Sequence, residues 1–345
     1  MNRQLRANAK KMNLAELHES LNKVLMFQTL GIDVSQLFPE MCILSQTNDL
    51  LSKKMIYMFL ATSAESNPEQ ALMIVNTFMK EQFNQDPKLR SLGLRCLSQI
   101  TSQLSTEMVQ QHFIKNLEDR HPSVQCTAML GLLKIHYVDK AFIDDHGLLD
   151  KMYNLLRSAH PAVVSTAISV LNEVLAEEGG MAVNGKIVKY LLGRLKEFNS
   201  YSATQVILLL RKYEPRDKEE LLSIMNLLDS KFKYSNTSLT LEIIKTFILY
   251  CKGDSVLHQD VLTRSKETLL TLLMSTTDEL RFNVLVNIDS LTLIGGKKVF
   301  EKDFKRFFCE ADDKDYIKKV RIQILQKMIT SESFDEIFNE LWLAN

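Results

Sequence analysis

His136 and His146 stand ten residues apart with Asp139, Asp144 and Asp145 between them. Imidazole and carboxylate together are the donor set a divalent metal accepts. A polar connection between two helices explains the same group without a metal. His121 and His160 each precede a proline, at Pro122 and Pro161, which is turn chemistry in two separate places rather than a dyad. The acidic pairs Glu177-Glu178 and Asp312-Asp313 fit exposed turns or helix ends better than general acid–base catalysis. The five cysteines, at 42, 96, 126, 251 and 309, are odd in number and include no CxxC. They predict free thiols in a reducing cytosol, not a disulfide framework or a zinc knuckle. No phosphate-binding glycine loop, nucleophile elbow, HExxH or calcium-loop pattern occurs. These observations predict no enzyme, no catalytic residue, no cofactor and no metal.

Two other groups suggest contact rather than catalysis. The segment Glu69–Lys80 carries two apolar stripes when wound as a helix. Leu72, Val75, Asn76 and Met79 form one, and Ala71, Ile74 and Phe78 the other. A helix in a hairpin needs one such stripe for its core, so a second marks either deep burial or a partner site. The cations Arg3, Arg6, Lys10, Lys11, Lys23, Lys53 and Lys54 gather near the N-terminus. They form either a solvated end or a foothold on anionic lipid, worth about 1 kcal/mol per well-placed cation.

The composition says what must position these groups. Lys plus Arg equals Asp plus Glu at 42 each, so the chain lacks the basic excess of a dedicated nucleic-acid binder. Mean hydropathy is −0.08, and no run of 18 uncharged apolar residues offers a membrane span. Only 11 glycines and 6 prolines occur, which is sparse for a parallel α/β enzyme and points to an all-α chain.

A repeat organises the helices. A short polar break followed by a long apolar-periodic segment recurs at Asn48, Asp86, His121, His160, Ser200, Asn236, Asp278 and Asp315. The spacings between these marks lie between 35 and 42 residues. Two helices per unit at that period is the HEAT or armadillo-like α-α superhelix. Pro87, Pro122 and Pro161 fall at the first helical turn, where a missing N–H costs nothing. Asn48 and Asp86 suit the N-cap, and the small Ala128 and Ala167 let neighbouring helices approach. Glycine pairs at 179–180 and 295–296 predict the longer turns. With no Pro-, Gly- or Ser-rich linker, residues 1–345 read as one solenoid of about eight hairpins, a rod roughly 80 Å long with a concave face.

Particular segments sharpen this. GIDVSQLFPEM (31–41), KKMIYMFL (53–60), ALMIVNTFMK (71–80) and DPKLRSLGLRCL (86–97) resemble the start of the β-adaptin trunk, a large chain of the clathrin-type adaptor complexes. EEGGMAVN (177–184), LLGRL (191–195), YEPRDKEELLSIMNLLDS (213–230) and FKRFFCEADDKDYIK (304–318) look like the beta subunit of the fourth adaptor complex within that family. The likeness covers roughly residues 24–335. It departs at Tyr201-Ser202-Ala203, where β-adaptins tend to carry Trp-Gly-Gln, and at Asn345, where the family's chain continues into more solenoid, a hinge and an appendage. The expectation is therefore a trunk fragment.

The resemblance implies a heterotetramer with a second large adaptin, a medium chain and a small chain. It implies recruitment from cytoplasm to trans-Golgi network and endosomal membranes as a peripheral coat, cargo selection, and transport toward endosomes without clathrin. By position it also implies an Arf-type GTPase contact at Leu72, Val75 and Asn76, with Arg3, Arg6, Lys10, Lys11, Lys53 and Lys54 facing lipid. The alternative is another HEAT scaffold, a transport receptor or a phosphatase regulatory subunit; a transport receptor usually shows a more acidic balance.

Overall fold

The computed structural model describes residues 14–65, 67–104, 106–232, 236–275 and 277–343. Among these residues the regular elements are helices, with no strand. The N-terminal cations Arg3, Arg6, Lys10 and Lys11 lie outside the described residues. No described helix is long and apolar enough to cross a membrane.

The chain divides into two compact units, Met1–Met181 and Ala182–Asn345. In the first, α1 (Leu14–Thr29) precedes a series of hairpins: α2 (Phe38–Leu44) with α3 (Leu50–Ala64), α4 (Pro68–Glu81) with α5 (Pro87–Ile100), and α6 (Thr106–Asn116) with α7 (Pro122–Val138). The short α8 (Phe142–Asp145) and α9 (Leu148–Leu155) then pair with α10 (Pro161–Val174). The second unit repeats the plan: α11 (Gly185–Gly193) with α12 (Ser200–Leu210), α13 (Lys218–Phe232) with α14 (Thr237–Tyr250), and α15 (Ser255–Ser275) with α16 (Asp278–Leu291). It continues with α17 (Lys297–Phe300) and a 3-10 turn ahead of α18 (Asp315–Met328), then α19 (Phe334–Leu343).

Every break predicted from the sequence is the start of a second helix: α3, α5, α7, α10, α12, α14, α16 or α18. Side-chain caps fix most of these starts. Asp86 accepts the Lys88 N–H at 2.8 Å, Asn199 the Ser202 N–H at 2.8 Å, and Asn236 the Ser238 N–H at 2.9 Å. At α3 the cap is Asp49, one residue beyond the expected Asn48. Its carboxylate takes the Ser52 N–H at 2.7 Å and meets His18 at 2.8 Å. The Ser52 amide first, and His18 after it, hold that carboxyl down at about 2. His121 also caps, its Nδ1 accepting the Ser123 N–H at 3.3 Å, whereas His160 makes no side-chain cap. The expected glycine turns are present: Gly179 and Gly180 both hold φ near 90°, and Gly295 holds 103° inside a kink.

Within each unit the second helices pack on one another in sequence, α3 on α5 on α7 on α10, and α12 on α14 on α16 on α18. Their side chains show the consequence. In α3, Ile56, Tyr57, Phe59 and Leu60 are fully buried while Met58, the ninth residue, is 51% exposed. In α7 the ninth residue Leu130 lies open between buried Met129 and Gly131, and in α12 the ninth residue Leu208 lies open between Ile207 and Leu209. Each second helix is therefore covered everywhere except along one line. Burying a Leu or Ile side chain is worth about 1.5–3 kcal/mol, so stacking is where these helices gain their stability.

Gly131 shows how close the packing is. A Cβ there would fall 2.2 Å from the ring of Phe113, which is itself fully buried on α6. A Cβ on Gly193, at the end of α11, would meet nothing within 4 Å. Gly131→Ala is expected to destabilise the chain by about 1–3 kcal/mol despite the better helix propensity of alanine. Gly193→Ala is expected to be neutral or to add up to about 0.5 kcal/mol. Leu132→Asp, which puts an unpaired charge at a fully buried site, is expected to cost several kcal/mol. Urea unfolding followed by circular dichroism measures all three; a stabilised Gly131→Ala would contradict the close approach of α6 and α7.

Candidate functional site

The face of α4 is the first place to look. Asn67 caps it by accepting the Glu69 and Gln70 N–H groups, and Pro68 occupies its first turn. Ala71, Ile74, Val75 and Phe78 point inward and are 4% exposed or less. Leu72 is 54% exposed, Met73 65%, and Asn76 is open to solvent. The expected triad is thus split. Val75 belongs to the core, because at 100° per residue it sits about 40° from Ala71 and about 60° from Phe78. Leu72 and Asn76 remain on the outside, and Met73 joins them, a residue the two-stripe reading passed over.

The basic set divides in the same way. Lys54 is exposed. Lys23 is exposed and paired with Glu19 one turn earlier, at 2.6 Å. Lys53 is not a surface cation. Its ammonium lies 2.7 Å from Glu81 at the end of α4, with both side chains about 10% exposed. Tyr57 donates its hydroxyl to the same carboxylate oxygen at 2.7 Å, and Asn84 donates to the other at 3.2 Å. Burial first, and then the Glu81 carboxylate, push the Tyr57 phenol well above its ordinary pKa, so it stays a donor. Lys53 therefore ties α3 to α4 and has no charge to offer a lipid surface.

The titratable groups that suggested chemistry are dispersed. His146 places Nδ1 2.9 Å from the Phe142 carbonyl, its ring against Phe142, and Asp139 accepts the Ala141 N–H. His136 sits in the last turn of α7. Among the described residues no group of three or more His, Cys, Asp or Glu side chains is arranged to hold a metal ion. Glu177, Glu178 and Asp312 are exposed, but Asp313 is not. Its carboxylate lies 3.0 Å from Arg281 and 2.7 Å from Arg321, which is itself 1% exposed. The expected turn residue is a buried hub.

Asp313 belongs to a pattern that the sequence search missed. The fourth residue of a second helix reaches an acid ahead of the next second helix: Lys53 to Glu81, Arg90 to Asp119 at 2.8 Å, and Arg281 to Asp313. Further pairs lie about one repeat apart, among them Lys151–Glu118, Lys218–Asp254 and Lys327–Asp289. A cation at the fourth position of a second helix, followed 28 to 32 residues later by an acid just ahead of the next register mark, was the available signal.

What is left facing solvent on the second helices is a row of ninth residues. In the first unit it reads Met58, Arg95, Leu130, Ser169, and in the second Leu208, Lys245, Val286, Gln323. Tyr201, 71% exposed, stands seven residues before Leu208 on the same line of α12. This departure from the expected Trp-Gly-Gln thus faces outward, while Ser202 and Ala203 are buried. Rows of mixed apolar and polar side chains on rigid helices suit a protein partner; they offer no convergent donors for a small substrate.

The family model described as the adaptin N terminal region matches residues 2–342. The AP-4 complex subunit beta of Dictyostelium discoideum is 32% identical over 334 residues, covering 95% of this chain and 39% of that protein. The mouse AP-4 complex subunit beta-1 is 32% identical over 322 residues, 93% of this chain and 43% of its own. The human AP-1 complex subunit beta-1 follows at 28%, covering 94% and 34%. The chain spans about two fifths of the length of the AP-4 relatives. Among solved structures, a chain of a homology model of the full-length AP-3 complex shares the fold, with a TM-score of 0.57 at 20% identity over all of this chain and 61% of that one.

The two adjacent lysines give opposite expectations. Lys53→Ala strands the Glu81 carboxylate in a buried site and is expected to cost about 3 kcal/mol. Lys54→Ala is expected to change stability by less than about 0.5 kcal/mol. Urea denaturation of the two variants separates them, and equal midpoints would remove Lys53 from the interior.

Proposed function

Because this chain belongs to the adaptin N-terminal family, a family of coat adaptors rather than enzymes, we propose that it is part of the large beta subunit of a heterotetrameric vesicle-coat adaptor complex. Both of its units then belong to one adaptin-type trunk. The observation that carries the proposal is the pairing of that membership with the open line on each second helix. Those lines give the chain long rows of outward side chains on a rigid frame, which is what a scaffold for other subunits needs. The partners proposed are a second large adaptin, a small chain and a medium chain, the last seated on the rows of ninth residues.

The complex is proposed to be of the AP-4 type, since the AP-4 beta relatives are the more similar of the beta chains compared. The work proposed for it is cargo selection and transport from the trans-Golgi network to endosomes, on membranes it meets as a peripheral coat from the cytoplasm. An Arf-type GTPase in its GTP state is proposed to meet α4 at Leu72 and Asn76, with Met73 added. These three side chains share an arc of about 100° on the helix, and an apolar patch with one amide matches a GTP-ordered apolar switch surface. Lys54, exposed one helix earlier, then faces anionic lipid in place of Lys53.

Two measurements test this. Co-expression with an AP-4 medium chain should retain it on the tagged chain, and Met58→Glu with Leu130→Glu should reduce retention at least several-fold while the helical circular dichroism stays intact. Undiminished retention removes the ninth-residue rows as the seat. Separately, GTP-locked Arf should be captured by the chain and lost with Leu72→Ser and Met73→Ser. Capture unchanged in a folded double variant excludes α4 as the contact.

A further inference from the structure

The turn from α16 into α17 holds two large aliphatic side chains out in solvent. Its residues, Thr292–Gly296, form one wide π-type turn in which Thr292 and Gly296 are buried, while Leu293 is 71% exposed and Ile294 45%. Gly295 turns the chain at φ 103°, a left-handed value that suits glycine. Gly296 packs so closely that a Cβ there would meet the Leu291 carbonyl oxygen at 2.6 Å. The backbone therefore fixes which residues of this turn go in and which go out. A single exposed leucine is ordinary on a protein surface, but two adjacent aliphatic side chains at the tip of a turn form the start of a patch.

The neighbouring turn enlarges it. A Cβ on Gly295 would stand 3.5 Å from Gln259 and 4.0 Å from His258, so the turn lies against the first part of α15. Val256, 72% exposed, sits one helical turn before Gln259 on the same side of α15. Cations surround these three aliphatic tips. Lys297 and Lys298 on α17, Lys302 just after it, and Lys252 just before α15 are all exposed. The acids nearby are partly spent: Asp254 holds Lys218 at 2.8 Å, and Asp303 holds Lys266. Glu301 and Asp260 form no ion pair among the described residues, and neither do the four lysines. Four free cations against two free acids leave the edge positive.

Charge and shape together identify the partner. The aliphatic side chains protrude from turns instead of lining a hollow, so they suit a medium that yields around them. Lysines are hydrated point charges on flexible stems, matched to a diffuse layer of negative charge more than to one carboxylate in a fixed place. We propose that this edge of the second unit docks on an anionic lipid surface: Val256, Leu293 and Ile294 enter the boundary between headgroups and acyl chains, and Lys252, Lys297, Lys298 and Lys302 lie among the headgroups. The proposal deepens the peripheral-membrane reading, on which it rests for its setting, and makes no use of Lys54 or α4.

The test is co-sedimentation of the 345-residue chain with vesicles of phosphatidylcholine, alone or with about one third phosphatidylserine. Binding is expected to the anionic vesicles and to weaken as salt rises. Lys297→Glu with Lys298→Glu should weaken it about tenfold or more, and Leu293→Ser with Ile294→Ser about fivefold or more, since both the charge and the apolar surface contribute. Circular dichroism checks that each variant keeps its helices; should the aliphatic double variant lose them, Leu293→Ser alone takes its place. Lys54→Glu reads the first unit's surface separately, so its loss of binding with no change in the other two variants would overturn this proposal and leave the α3 surface standing. The proposal is also overturned if the aliphatic variant binds as the parent does, which would reduce the edge to a general polyanion site. It is overturned too if anionic vesicles are not bound at about 1 mM lipid, whether or not poly-glutamate is, because an acidic protein would then be the partner.

Discussion

A pair of helices that is apolar on three sides cannot cover itself. In this chain the second helix of each hairpin buries residues on both flanks of its ninth position, and within each unit the neighbouring second helices supply that cover. The remaining features follow from this requirement. Starts must be fixed so that registers agree from hairpin to hairpin, which is the work of Asp86, Asn199, Asn236 and the prolines. Small residues must stand where helices meet, and Gly131 against Phe113 is the extreme case. Only one line per helix can be spared for anything else.

Polar groups are arranged to respect the same stacking. The pairs Lys53–Glu81, Arg90–Asp119 and Arg281–Asp313 join a second helix to the turn that precedes the next one. A partly buried ion pair adds little net stability over a well-packed apolar contact, but losing one partner is costly because a charge is left behind. Such pairs discriminate between registers. A hairpin shifted by one residue would keep much of its apolar cover and lose its ion pair.

Local signals carried most of the fold. The breaks, the prolines and the 3.6-residue periodicity all act within a few residues, so they are readable in a linear sequence, and each predicted break is a helix start. What depended on a neighbour one repeat away was not readable. Val75 looked like part of a second stripe, but which stripe is covered is decided by the helices packed against α4. Lys53 and Asp313 looked like surface charges because their partners, Glu81 and Arg281, stand 28 and 32 residues away. The cap at Asp49 rather than Asn48 was a choice between two adjacent good caps, and His18 settles it from another helix.

The ninth-residue rows alternate apolar and polar within each unit: Met58, Arg95, Leu130, Ser169 in one, and Leu208, Lys245, Val286, Gln323 in the other. Neighbouring helices lie about 8–10 Å apart, so like side chains recur roughly every 16–20 Å. A helix laid along such a row advances that distance in about 11–13 residues, and an extended strand in about five or six. A heptad-patterned helix carries an apolar side chain every three or four residues, about 5–6 Å, so most of its apolar side chains would fall between the apolar positions of a row. Apolar positions on these rows are sparse and widely spaced, a spacing met more readily by the surface of a folded domain than by a single ribbon of chain.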